Sequence, residues 1–203
     1  MKKYAVLHEP GDIVTLAGTR FVVLDVERRG SLPDSLFLLA LESVGASEFG
    51  SSNNYAESDL KKAVDKWLED MGKRGLDNAK LIPREIDLTT LDGSGCYGKL
   101  SVKAAPLTLD EAREYADIIP NAERWCWLAT GWSGPSKSDG DRALIVDSNG
   151  DWYRDFCSSS YGIRPALKAP SILFEDSEAG LDLSKIPTDD LLQEIHRRLA
   201  EKA

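Results

Sequence analysis

The chain has 203 residues, enough for one domain with an appendage or two small ones, and 42% hydrophobic residues supply a real core. Its 25 Lys and Arg against 34 Asp and Glu leave a net charge of −9, which repels phosphate backbones and argues against a nucleic-acid partner. Three widely spaced cysteines without a CxxC element argue against a zinc site or disulfide framework, no apolar stretch nears the roughly 20 residues that span a bilayer, and the start MKKYAVLHEPGD is no secretory signal.

In chain order, DIVTLAGTRFVVLDVE reads as two strands around a turn at Ala17-Gly18, and SLFLLALESVG as a third, strongly buried strand. The first 45 residues therefore predict a small antiparallel sheet. In ESDLKKAVDKWLEDM the apolar residues Leu60, Ala63, Val64, Trp67, Leu68 and Met71 form one helical stripe, with Ser58 as N-cap. REIDLTTLDGSGCYGKLSVKAAP reads as a long connection with turns. TLDEAREYADII predicts a second helix, opened by the Thr108/Glu111 capping box and stopped by Pro120.

From Trp125 the pattern returns to strands: RWCWLAT, RALIVD, DWYRDF and GIRPALK. GWSGPSKSDGD reads as a loop, and Asn149-Gly150 as a tight hairpin turn. Beyond Pro170 come an acidic linker over 171–186 and a helical tail over 187–203, with acids in its first turn and bases in its last.

Catalytic motifs are sparse. The only histidines, His8 and His196, stand near the two ends, and His196 reads as a solvated or helix-end residue. Asp147, Asn149 and Asp151 make D-x-N-x-D, the start of many calcium loops. Trp152 and Ser158 then stand where an EF-hand needs Gly and an acid, so the pattern reads as a hairpin tip. We expect no metal, no cofactor and no catalytic residue.

Several stretches together resemble a bacterial and phage domain family of unknown function. They are NNYAESDLK, PLTLDE, WCWLAT, SNGDW and the closing GIRPAL, within residues 12–168. Cys126 stands where members often carry a tryptophan. The resemblance implies an α+β, C-type-lectin-like fold of antiparallel sheets with two helices, distantly similar to formylglycine-generating enzymes. Many members are variable proteins of diversity-generating retroelements, whose C-terminal segment is mutagenised to change ligand choice. This implies a domain over 1–170 that binds a protein or glycan without catalysis, and it leaves oligomerisation open. Its place would be a phage particle or a cell surface, reached from the cytoplasm without a signal peptide. Two other readings stay open: an enzyme related to the formylglycine-generating group, whose members use a cysteine pair (here Cys126 and Cys157), or a structural domain of a phage particle.

The binding face is expected over 130–161, because rings and short polar side chains make adaptable contact surfaces. Its expected contributors are Trp132, Ser133, Tyr153, Arg154, Asp155, Ser158, Ser159, Ser160 and Tyr161. Alternation in DWYRDF puts Trp152, Arg154 and Phe156 on one face and Tyr153 and Asp155 on the other, and one set should be core. Trp125 and Trp127 are expected in the core and Trp132 exposed. In GIRPAL we expect Ile163, Ala166 and Leu167 to bury, with Arg164 pairing or capping.

Overall fold

The computed structural model describes residues 8–30, 32–174, 187–189 and 192. Most of the expected linker and tail thus lies outside the described residues. In chain order the elements are β1 (Ile13–Leu16), β2 (Thr19–Arg29), β3 (Leu32–Ala40), β4 (Ala46–Glu48), α1 (Asp59–Lys73), β5 (Arg84–Asp87), β6 (Lys99–Val102), β7 (Ala104–Ala105), α2 (Leu109–Glu114), β8 (Cys126–Gly131), β9 (Arg142–Val146), β10 (Trp152–Phe156), β11 (Ser160–Gly162) and β12 (Ala166–Pro170). The architecture is mixed α+β and mostly antiparallel.

One five-stranded sheet runs β1-β2-β3-β12-β7 and the other β10-β9-β8-β11-β4, with β5-β6 as a separate ribbon. The first three strands form the expected meander. Its β1–β2 turn holds Ala17 at φ 46° and Gly18 at φ 75°, the two left-handed positions of a two-residue hairpin. The closing strand returns to this meander: Leu167 lies opposite Leu38 and Ala166 opposite Leu39. The C-terminal motif and the N-terminal meander therefore share one sheet.

Both helix starts are capped as the sequence predicts. The Lys61 N–H donates to Ser58 Oγ at 2.9 Å, and Thr108 and Glu111 cap each other reciprocally. α1 buries Leu60, Val64 and Met71 in the larger core cluster, with Phe21, Leu38, Phe49 and Trp127. α2 buries Leu109 and Ala112 in a second cluster with Val22, Leu24, Leu128 and Leu144.

Two expectations fail. α2 ends at Glu114 instead of running to Pro120: Tyr115 leaves helical geometry and sets its ring edge-on to Phe37, and turns bring Ile118 and Ile119 onto the second cluster. The long connection between the helices contains the β5–β6 hairpin, with Ile86 opposite Leu100. Each of its strands buries one residue, Ile86 and Val102, which is too few to show an alternation.

Candidate ligand-binding face

The β9–β10 hairpin is built by its own first acid. Asp147 is buried, and its Oδ1 accepts the N–H groups of Asn149 (2.7 Å) and Asp151 (3.0 Å), while Gly150 takes the left-handed φ of 92°. The D-x-N-x-D pattern is thus a turn device whose carboxylate faces backbone donors. Among the described residues no three His, Cys, Asp or Glu side chains group as a metal site.

β10 corrects the expectation of one core face. It lies at the edge of its sheet, so its side chains reach past the covering layers on both sides and neither set is buried. Cys157 N–H donates to Asp141 O, and Asp147 N–H to Asp151 O, so odd-numbered residues pair inward and Trp152, Arg154 and Phe156 present their backbone outward. The outward groups of Phe156 are already engaged: its N–H donates to Asp155 Oδ1, and its carbonyl accepts from Ser159 N–H. This shortens the free edge and hinders pairing with another strand.

The side chains here form two groups. On the face of Tyr153 and Asp155, the Trp125 ring stacks on Tyr153 (5.4 Å, 13°) and on Tyr161 (6.0 Å, 18°). Tyr161 also lies edge-on to Trp127 and donates its hydroxyl to Asp155 Oδ2 at 2.5 Å. That bond holds the Asp155 carboxyl below the usual carboxylate range and raises the Tyr161 phenol to about 12. Trp125 is 40% exposed and Tyr153 45%. Beside them runs an open groove of about 600 Å³, lined in part by Glu123, Arg124, Trp125, Ser160 and Tyr161. On the other face guanidinium groups cover rings: Arg154 over Trp132 (4.2 Å), Arg142 over Phe156 (4.2 Å) and Arg113 over Trp152 (5.4 Å).

The expected contributors therefore divide. Tyr153, Arg154, Ser158 and Ser160 are exposed, and Asp155, Ser159 and Tyr161 half-buried. Trp132 is not the free ring expected of it: it is half-buried, packs on the second core cluster and lies under Arg154. Ser133 is 4% exposed and belongs to the frame. Both fail because GWSG does not loop freely: Trp132 N–H bonds Arg142 O, and Asp92 N–H bonds Trp132 O.

Asn53 completes that clamp. Its Nδ2 donates to Ser133 O (2.8 Å) and Arg142 O (3.0 Å), and its Oδ1 accepts from Tyr97 OH (2.6 Å). A Cβ at Gly131 would meet the Asn53 side chain at 2.9 Å, so the glycine permits this approach. Asn53, Tyr55 and Ser58 of the NNYAESDLK stretch thus lock a loop, fill the core and cap α1.

Trp125 is the residue that sequence reading misplaced. Trp127 is buried at 1%, as expected, but Trp125 precedes β8 and is not covered by the core. The available signal was its neighbours Glu123 and Arg124, both exposed. The GIRPAL expectations hold: Ile163, Ala166 and Leu167 are buried, and Arg164 caps carbonyls of Ala40 and Pro120.

The cysteines are free, with Cys96 exposed and Cys126 and Cys157 buried. Cys126 lies level with Val146 and Trp152, whereas Cys157 follows Phe156 at the other end of the ladder. Five residue steps, from Trp152 to Cys157, place them about 17 Å apart along it. Burial raises the thiols to about 11 and about 12, which keeps them protonated and poorly nucleophilic near neutrality.

No family model, curated protein or solved structure matches the chain.

Proposed function

We propose that the chain is a non-catalytic recognition protein of C-type-lectin-like fold, binding a protein or glycan through the Trp125–Tyr153–Tyr161 surface and its groove. The observation that carries this reading is the three-ring stack, with Trp125 and Tyr153 exposed and Tyr161 half-buried, beside Glu123 and Arg124. Rings held by their neighbours lose little freedom on binding, and the flanking charges and hydroxyls supply directional bonds. The β3–β12 pairing that closes the chain on itself supports the lectin-like reading. The separated, protonated thiols weigh against cysteine-pair chemistry. As a variable protein of a diversity-generating retroelement, it would keep the strand frame and exchange the tips.

The test is a binding screen of the full chain on glycan and protein arrays, repeated with the double variant Trp125→Ala, Tyr153→Ala. The expected result is that the signal of the best binder falls at least about tenfold, as for loss of an anchor ring. An array signal unchanged in the double variant, with both proteins folded, would overturn the reading. The genomic corollary is a nearby reverse transcriptase and a near-copy of the codons for 130–165.

A further inference from the structure

A second concavity lies between α2, the segment after it and the β9–β10 hairpin. It shares no lining residue with the groove beside Trp125 and has a volume of about 100 Å³. Its mouth is marked by exposed Ala116, Asn121, Gly150 and Trp152, and its depth by buried Leu107, Ala112, Leu128 and Arg164. Arg164 is only 7% exposed. Its Nε donates to Ala40 O (3.0 Å) and its Nη1 to Pro120 O (3.1 Å), while Nη2 is buried without a partner. Among the described residues no carboxylate forms an ion pair with it. The Glu42 carboxylate acts on this charge only through space, without a bond, so the guanidinium keeps one buried donor, Nη2, that an anion in the cavity would satisfy.

We propose that this cavity is a binding site for a short aliphatic carboxylate, its head on Arg164 and its tail against Leu107, Ala112, Leu128 and Val146. The lining chooses this class. A phosphate or sulfate needs several donors, and Arg164 and Asn121 are the only charged or amide side chains here. A carboxylate has two oxygens for one guanidinium, and its alkyl chain suits the apolar walls. The size suits a small acid, since a cavity of roughly 150 Å³ accommodates benzene. Ligand entry past Trp152 requires only local movement, because that ring is held at the surface by Arg113 alone among the ring contacts described.

The test titrates the full chain with butyrate and, separately, with the near-isosteric neutral butyramide, followed by calorimetry and by amide shifts of residues lining the cavity. Butyrate should bind saturably at millimolar concentration, with butyramide weaker by about tenfold or more, the loss expected without a charged hydrogen bond. Ala112→Leu, which fills the cavity and leaves Arg164 intact, should abolish butyrate binding. Ala116→Phe at the exposed mouth makes the same test should the buried substitution fail to fold. Equal binding of the two probes, butyrate binding that survives a folded cavity-filling variant, or no saturable butyrate binding would each overturn the proposal.

Discussion

β10 and β12 are five-residue strands separated by nine residues, and they have opposite fates. β12, Ala-Leu-Lys-Ala-Pro, lies between β3 and β7 and buries Ala166, Leu167 and Ala169. β10, Trp-Tyr-Arg-Asp-Phe, has more ring area and buries none of its five side chains. Hydrophobic content therefore does not decide which strand is core. Cover does: β12 meets a core cluster on each of its faces, Leu167 and Ala169 on one and Ala166 on the other, whereas β10 at its sheet's edge reaches past both.

The largest expected effect tests that contrast directly. Leu167→Ala removes a fully buried side chain facing the main cluster, so it should cost about 2–5 kcal/mol in denaturant unfolding. Phe156→Ala removes a larger side chain from the edge and should cost about 1 kcal/mol or less, since the ring is exposed and covered only by Arg142. Similar losses for both would break the comparison.

A second, smaller effect concerns the frame behind the edge. Asn53→Ala would leave the Ser133 carbonyl and the Tyr97 hydroxyl without their bonds and take one of two from the Arg142 carbonyl, at a cost of about 1–3 kcal/mol. Hydrogen exchange should accelerate over residues 132–142 more than over α1. Uniform acceleration would instead make Asn53 a general core residue and not a loop clamp.

The meander, both N-caps, the Asn149-Gly150 hairpin and the burial of Ile163 and Leu167 were legible because each rests on local chemistry or an unbroken apolar run. The β5–β6 ribbon was not, because strands that bury one residue each leave no period to read. The site was half legible. Ring and hydroxyl content pointed to Tyr153, Arg154 and the Ser158–Ser160 turn. It could not tell that Ser133 is clamped by Asn53, from 80 positions upstream. Nor could it show that Trp125 falls just outside β8, where Tyr153 and Tyr161 meet it from other strands. Both facts depend on long-range pairing, which local pattern does not carry.

A third test divides the ring stack. Tyr161 touches buried Trp127 and bonds Asp155, whereas Tyr153 contacts only exposed Trp125 among the rings. Tyr161→Ala should therefore cost about 1–3 kcal/mol and Tyr153→Ala about 0.5 kcal/mol or less. Joint replacement of Tyr153, Arg154 and Tyr161 should lower the melting temperature by the share of Tyr161 alone. A Tyr153→Ala loss as large as that of Tyr161→Ala would place Tyr153 in the frame instead of on the surface.

The smallest expected effect is electrostatic and lies in the Tyr161–Asp155 bond. The Tyr161 hydroxyl favours the ionised Asp155 and depresses its folded pKa below the unfolded value of about 4. That contribution to stability is complete above the unfolded pKa and is lost as pH falls through the folded one. Tyr161 behaves oppositely: its pKa is raised to about 12, so its contribution is complete below the unfolded value of about 10 and is lost as pH climbs through about 12. The bond is thus intact across the whole neutral range, and it should tether β11 to the β10 edge without acting as a physiological switch. Tyr161→Phe keeps the ring against Trp125 and Trp127 and removes only the donor. In that variant the Asp155 carboxyl, followed by carbon NMR, should titrate at a higher pH than in the wild type. The stability change at neutral pH should be small, because both groups reach solvent and water screens the pair. An unchanged Asp155 midpoint would show that the depression comes from the Phe156 and Ser159 donors, and the two strands would then be joined at this face by ring packing alone.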